Sequence, residues 1–230
     1  MKYEAIIFDI DGTLIDYDYS QYYSLDKLLD IIPWNNSTRP ATKEVFDYWY
    51  KEKNEFYNRP DSNKINQYDQ QKIILENVLA NWRIIVDSNQ LTNTLFDIYE
   101  TTWRAYPDVL ECLFNINKYK LCIISNGDSK FQRLKLTKTG LDKYFSEILV
   151  SGDIKIKKPD PKIYQTMSDK INIPLEKCVY IGDRLDFDAI GSSDAGMLGV
   201  WLNRKNTLSN KIPKSVKTIT SLQQLTSLVI

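Results

Sequence analysis

Four short stretches hold the residue types that could do chemistry. Asp9 and Asp11 stand two apart in Phe8-Asp9-Ile10-Asp11-Gly12-Thr13-Leu14, directly after the apolar run Ala5-Ile6-Ile7. Such a run, bounded by a glycine turn, reads as a buried strand. Side chains two apart on a strand project to one side. Two carboxylates so placed repel unless a cation or a shared proton relieves them. Ser125-Asn126-Gly127 brings a hydroxyl, an amide and backbone N–H groups to a helix N-terminus, which favours an anion. Lys157-Lys158-Pro159 precedes Asp160-Pro161, and Gly182-Asp183-Arg184-Leu185-Asp186-Phe187-Asp188 supplies further acids. Acids, one hydroxyl and one or two lysines suit Mg²⁺ and a phosphoryl group.

The 230 residues include no histidine. That removes Ser-His-Asp and Cys-His triads, histidine zinc sites and phosphohistidine intermediates. Proton transfer falls to carboxylates, lysines or tyrosines. Cys112, Cys122 and Cys178 sit in apolar segments, form no CxxC pair and read as reduced core thiols. Lys plus Arg equals Asp plus Glu at 30 each, so no global attraction draws the chain to a nucleic acid polymer or an anionic membrane. No apolar run nears the roughly 20 residues that span a bilayer. Met1-Lys2-Tyr3-Glu4 does not open a signal peptide. The expected location is cytoplasmic, with no membrane partner.

The elements that must position these residues alternate. The Ala5 strand is followed, after a long interruption, by strands at Lys120–Ile124, Glu147–Val150, Cys178–Ile181, Leu198–Leu202 and near Val216–Ile219. Helices are expected over Val109–Asn117, Lys130–Thr139, from Asp160-Pro161 onward, over Asp188–Ala195 and from Leu222. Asp160 is an N-cap with proline at the first helical position. Short apolar strands alternating with helices imply an α/β, doubly wound, Rossmann-like parallel sheet. Ligands of such sheets bind beyond the carboxyl ends of the strands, where all four stretches lie. Residues 1–15 and 104–230 form this core. Residues 16–103 lack glycine and carry helical spacing over Ser20–Ile32, Ala41–Asn58, Gln67–Trp82 and Ser88–Trp103, an all-helical cap domain inserted after the first strand. Pro33-Trp34-Asn35-Asn36-Ser37 and Asn58-Arg59-Pro60-Asp61 are loop signals.

The four stretches resemble the four motifs of the haloacid dehalogenase (HAD) superfamily, in its phosphatase branch with a helical cap of the first type. Asp9-Ile10-Asp11-Gly12-Thr13 resembles the first motif and Ser125-Asn126-Gly127 the second. Lys158-Pro159-Asp160-Pro161 with Ile163-Tyr164 resembles the third, and Gly182-Asp183 with Asp188 the fourth. Tyr106-Pro107, Gln132 with Lys135-Leu136, and Tyr144-Phe145 are similar connecting text. The resemblance implies a phosphomonoesterase that uses Asp9 as nucleophile, through an aspartyl-phosphate, and Asp11 as acid and then base. It implies Mg²⁺ on Asp9, Asp183 and the Asp11 main-chain carbonyl. Ser125, Asn126 and Gly127 would receive the phosphate and Lys158 would neutralise charge. Thr13 and Asp188 would play supporting parts, Asp188 by orienting Asp183, Lys158 or a metal-bound water. Two positions depart from the family pattern. Arg184 stands where Ser or Thr is frequent and is expected to pair with Asp186, and Phe187 replaces a frequent Asn.

The implied substrate is a small phosphate ester, a nucleoside monophosphate or a sugar or polyol phosphate, acted on by a monomer or homodimer. A haloacid dehalogenase proper shares the nucleophile, but such enzymes typically lack an acid at the Asp11 position. A phosphomutase shares all four motifs. A phosphonate hydrolase would use a cap lysine, and none is marked. A non-catalytic binding domain should have lost Asp9, Asp11, Lys158 or Asp183. In the insertion Tyr17, Tyr19, Tyr22, Tyr23, Trp34, Trp49, Tyr50 and Tyr57 read mostly as core, with Tyr17, Tyr19 and Trp34 the better candidates for facing substrate. Arg39, Arg59 and Lys64 are candidates for a second anionic group. Asp153 and Asp186 read as loop acids and Lys157 as a solvated residue.

Overall fold

The computed structural model describes residues 2–34, 38–57, 59, 65–209 and 212–229. The loop signals at Asn35, Asn36, Ser37, Asn58, Pro60 and Asp61, and the candidate Lys64, lie outside them. The chain divides into two compact units, Met1–Asp16 with Arg104–Ile230, and Tyr17–Trp103.

The first unit is built on six parallel strands, β1 (Ala5–Phe8), β2 (Lys120–Ser125), β3 (Glu147–Val150), β4 (Cys178–Gly182), β5 (Leu198–Leu202) and β6 (Lys217–Ile219). Their order across the sheet is β3-β2-β1-β4-β5-β6. All four residues of β1 are fully buried, because a parallel strand covered on both faces exposes neither. Ile6 and Phe8 join one core with Ile123, Val179 and Ile181, and Ala5 and Ile7 join the other with Cys122, Ile124 and Tyr180. This is the two-residue alternation of a strand read on its two faces. All three cysteines are buried and free.

The helices of this unit are α5 (Val109–Asn115), α6 (Ser129–Thr139), α7 (Ser151–Ile154), α8 (Pro161–Ile171), α9 (Gly191–Asp194) and α10 (Leu225–Val229). Asp160 caps α8 by accepting from the Lys162 N–H at 2.9 Å. Gly140 ends α6 in the left-handed conformation, φ +68°, that a side chain disfavours. The helix expected over Asp188–Ala195 differs. It begins as a wider turn over Leu185–Ile190, with the Ala189 N–H reaching back five residues to the Arg184 carbonyl, and becomes α9 only at Gly191. This wide turn keeps Asp188 pointed into the unit, buried at 1% exposure. Ile15 and Ala105 pair antiparallel, and the Asp16 N–H donates to the Arg104 carbonyl at 3.0 Å. Arg104 Nη2 also meets Asp16 Oδ2 at 2.7 Å.

The second unit contains helices α1 (Tyr17–Ile31), α2 (Thr42–Tyr57), α3 (Gln67–Asn81) and α4 (Ser88–Thr102). Their buried stripes are Leu25, Leu28 and Leu29 on α1, Val45, Trp49 and Phe56 on α2, Ile74, Leu75 and Val78 on α3, and Leu91, Leu95 and Tyr99 on α4. Asn66 and Asp87 cap α3 and α4 by accepting backbone N–H groups. The aromatic residues correct the expectation of a mostly core role. Of the eight named, only Trp49 is buried, while Tyr19, Tyr22, Tyr23, Tyr50 and Tyr57 are exposed. Tyrosine tolerates this because its ring packs sideways while its hydroxyl stays wet. Tyr19 stacks on Tyr23, and Phe46 packs between Tyr22 and Tyr50. Trp34 closes the end of α1 by donating Nε1–H to the Leu29 carbonyl at 2.9 Å.

Arg39 is tied to Asp26, Asp30 and Thr42, which gives it a structural task within the helical unit. The lysine that the sequence did not mark is Lys53. Its ammonium lies 4.3 Å over the Tyr17 ring and donates to Gln21 Oε1 at 3.2 Å.

Candidate active site

The strand order reverses direction at β1, which has β2 on one side and β4 on the other. A crevice at the carboxyl ends of these strands follows from that reversal. Asp9 leaves β1 there, its N–H still bonded to the Ile181 carbonyl of β4 at 2.9 Å. Ser125 is the last residue of β2, and Asp183 follows the last residue of β4. Lys158 stands just before α8 and is 3% exposed.

Lys158 is the hub. Its ammonium donates to Asp9 Oδ1 at 2.7 Å, to Asp188 Oδ1 at 2.7 Å and to the Tyr180 hydroxyl at 2.9 Å. Tyr180 in turn donates to the Ile124 carbonyl at 2.7 Å, which fixes its lone pairs toward the lysine. Ser125 donates to Asp9 Oδ1 at 3.1 Å. Asp188 takes the Arg184 N–H on its other oxygen at 2.9 Å. The Lys158 ammonium thus lies bonded between Asp9 and Asp188.

Asp9, Asp183 and Asp188 each offer an oxygen within 4.8 Å of the others. The electrostatics record the crowding. Burial, opposed by Lys158 and reinforced by Asp188, lifts the Asp9 carboxyl from 3.8 to about 6. Burial, then Asp188 and Asp9, push Asp183 well above the carboxylate range. Burial alone would lower Lys158, but Asp188 and Asp9 outweigh it and raise it. Three carboxylates against the Lys158 ammonium leave a surplus of negative charge in an all-oxygen donor set, and such a set fits a hard divalent cation. The Gly12 turn is shaped to this surplus. At φ +78° it brings its backbone so close that a Cβ there would lie 2.5 Å from Asp183 Oδ2.

Asp11 does not continue the strand. The Ile10 carbonyl accepts from the Leu14 and Ile15 N–H groups, both at 2.9 Å, so the chain has already turned. The expectation that both carboxylates share one strand face, with a cation or a shared proton to relieve them, is corrected by this turn. Each takes its own lysine. Asp11 receives the Lys135 ammonium on both oxygens at 2.7 Å, and Gln132 Nε2 on Oδ2 at 3.0 Å. Asp11 raises the Asp9 carboxyl less than Asp188 does.

Asn126 uses its side chain on the backbone of Lys158. Its Oδ1 accepts the Lys158 N–H at 2.8 Å and its Nδ2 donates to the Lys158 carbonyl at 3.1 Å. Gly127 donates its N–H to Ser151 Oγ at 3.0 Å, and a Cβ at this position, where φ is +135°, would lie 3.3 Å from Gln132. Thr13 is buried, and its carbonyl accepts from Arg204 Nη2 at 2.9 Å. Arg204 is itself held by both oxygens of Asp108. Arg184 pairs with Asp186 at 3.4 Å, both exposed, and lies over the Phe187 ring. Asp153 accepts the Val150 N–H and pairs with Arg133. Lys157 is exposed.

Sequence reasoning did not assign Gln132, Lys135, Tyr180 or Arg204 to the site. The spacing of Gln132 and Lys135, three apart on one helix face, was the available signal.

A family model described as haloacid dehalogenase-like hydrolase matches residues 3–196, and the chain belongs to that family. The fold and the site thus define a hydrolase. Among curated relatives, a Glyceraldehyde 3-phosphate phosphatase of Methanopyrus kandleri is 35% identical over 103 residues, 44% of this chain and 44% of its own. The Pyrimidine 5'-nucleotidase PynA of Streptococcus pneumoniae is 27% identical over 88% of this chain and 85% of its own. The fold also matches the crystal structure of the putative HAD-hydrolase YfnB from Bacillus subtilis bound to magnesium. It covers 100% of this chain and 99% of the other, with a TM-score of 0.84 at 21% identity.

Proposed function

We propose that the chain is a Mg²⁺-dependent phosphomonoesterase for small phosphate esters that works through an aspartyl-phosphate. The observation that carries this reading is Asp11. A second acid, separately held, stands beside the Asp9–Ser125–Lys158 cluster, where a hydrolase acting on an ester needs a proton donor. A dehalogenase has no leaving oxygen to protonate. The phosphatase names of the relatives support the same choice.

Asp9 is the nucleophile. Both of its protein hydrogen bonds fall on Oδ1, so Oδ2 is the attacking atom. The Oδ2–phosphorus bond forms as the phosphorus–oxygen ester bond breaks, and the leaving oxygen takes a proton from Asp11. Asp11, now a carboxylate, removes a proton from water, and that water attacks phosphorus. The phosphorus–Oδ2 bond breaks with its electron pair returning to Oδ2, so inorganic phosphate leaves and Asp9 is restored as a carboxylate. Ser125 and the Asn126 N–H receive phosphoryl oxygens, and Lys158 offsets their charge together with that of Asp9. Asp9, Asp183 and the Asp11 main-chain carbonyl would hold Mg²⁺, which when bound neutralises carboxylate and phosphoryl charge in the site.

The test is phosphate release from a panel of nucleoside monophosphates, triose phosphates and sugar phosphates, with Mg²⁺ and with EDTA. Release that requires Mg²⁺ and disappears in Asp9→Asn is expected. Turnover that survives chelation, or metal-free halide release from 2-haloacids, would overturn the reading.

A further inference from the structure

Helix α6 presents two polar side chains that are almost wholly buried, Gln132 at 3% and Lys135 at 2% exposure. The anchoring of α6 does not require them. Leu136 is fully buried in the core, Asp128 caps the first turn, and Gly140 closes the last. A buried lysine is kept only where a partner compensates the loss of water. Here that partner is Asp11, held on both oxygens at 2.7 Å. Gln132 Nε2 lies 3.0 Å from Asp11 Oδ2 and 3.0 Å from Ser125 Oγ, and Ser125 bonds Asp9. An unbroken line of polar contacts runs Asp9–Ser125–Gln132–Asp11–Lys135.

We propose that Lys135 and Gln132 are positioning residues for proton transfer. Together they fix the plane and direction of the Asp11 carboxyl relative to Asp9. The inference rests on the reading of Asp11 as the proton donor given above. Lys135 bonds both oxygens of Asp11 and Gln132 one of them, so the carboxyl cannot rotate without breaking a short contact. In the transfer the ester oxygen keeps the electron pair of the broken phosphorus–oxygen bond and takes the proton from Asp11. The Lys135 ammonium bonds the Asp11 carboxyl on both oxygens. Its effect passes entirely through Asp11.

A positioning role for the proton makes a demand that simple structural support does not. Its loss must hurt poor leaving groups and spare good ones. Lys135→Met is assayed with Mg²⁺ on glycerol phosphate and on 2,4-dinitrophenyl phosphate, whose leaving group needs no proton. On the alkyl ester kcat should fall about 10- to 100-fold with KM little changed, since a misplaced acid forfeits much of its catalysis. On the aryl ester the loss should stay below about 3-fold. Lys135→Arg should restore most of the activity. Lys135→Met placed in an Asp11→Asn background should add no further loss. Equal losses on the two esters, or additive losses in the double variant, would overturn the proposal. Should Lys135→Met not fold, Lys135→Gln keeps a hydrogen-bond donor without the charge and is read by the same ratio. A wild-type protein that releases phosphate from neither ester refutes the phosphatase reading and this inference with it. Activity on both with no leaving-group selectivity in the variants refutes the positioning role alone.

Discussion

Asp9→Asn should separate catalysis from stability in opposite directions. The Asp9 carboxyl titrates near 6 in the folded chain against 3.8 ordinarily, because burial and Asp188 outweigh the help of Lys158. Between these values the folded state holds a proton that the unfolded state has released. Stability of the metal-free protein therefore falls as pH rises through that window, and the penalty is complete above about pH 6. A shift from 3.8 to about 6 corresponds to about 3 kcal/mol of destabilisation at pH 7. Asparagine fills the same space without the charge and still accepts from Lys158. In EDTA the variant should be more stable than wild type at pH 7 by up to about 3 kcal/mol, or about 6–12 °C in Tm for a chain of this size. At pH 4 the two should coincide. Thermal unfolding of both proteins from pH 4 to 8, in EDTA and in Mg²⁺, reads the difference directly. Mg²⁺ should narrow the gap by stabilising the wild type. An Asp9→Asn protein that is less stable at pH 7 in EDTA, or a gap that does not change with pH, would refute the reasoning.

Lys158→Met leaves Asp9 and Asp188 facing each other without their ammonium, and should cost about 3–5 kcal/mol in urea unfolding and at least about 10²-fold in kcat. Gly12→Ala puts a Cβ 2.5 Å from Asp183 Oδ2 at φ +78°. It should abolish the Mg²⁺-induced rise in Tm while the circular dichroism spectrum stays native, and a retained rise would count against Asp183 as a ligand. Asp108 is partly buried, but Arg204, the Leu222 N–H and Ser221 hold its carboxyl below the usual range. Its contribution is present above the ordinary carboxylate value and is lost as pH falls below it. Arg204→Met should cost about 2 kcal/mol at pH 7, with the difference from wild type shrinking below about pH 4. A constant difference across that range would argue that the lost contact is the packing of Arg204 on Tyr106 instead.

The sheet was legible because its strands bury both faces. Ala5–Phe8 and Cys178–Ile181 can only be read as apolar runs, and a parallel sheet followed from their alternation with helices, while the strand order came from the fold alone. The helical insertion was legible through its periodicity. Periodicity tells which face of a helix a residue shares but not how deep that face sits, and this is why Tyr22 and Tyr50 turned out to lie at the surface. The widened turn at Leu185–Ile190 leaves no local trace, since no residue type marks a carbonyl reached from five positions on. The cluster that the fold gathers at the candidate site was legible where chemistry restricts residue type, at Asp9, Ser125, Lys158 and Asp183. Its supports were not. Lys135 meets Asp11 across 124 positions and Arg204 meets Thr13 across 191, and only the folded chain brings such residues together.

The two chain segments that leave and re-enter the sheet unit, Ile15-Asp16 and Arg104-Ala105, are neighbours joined by backbone pairing and an ion pair. To the sheet, everything from Tyr17 to Trp103 is topologically one hairpin loop. Closing a loop costs stability only logarithmically in its length, so the sheet unit carries this long insertion at little more entropic cost than a short one. The two units therefore meet the chain at one seam, where neighbouring strands of backbone leave and return.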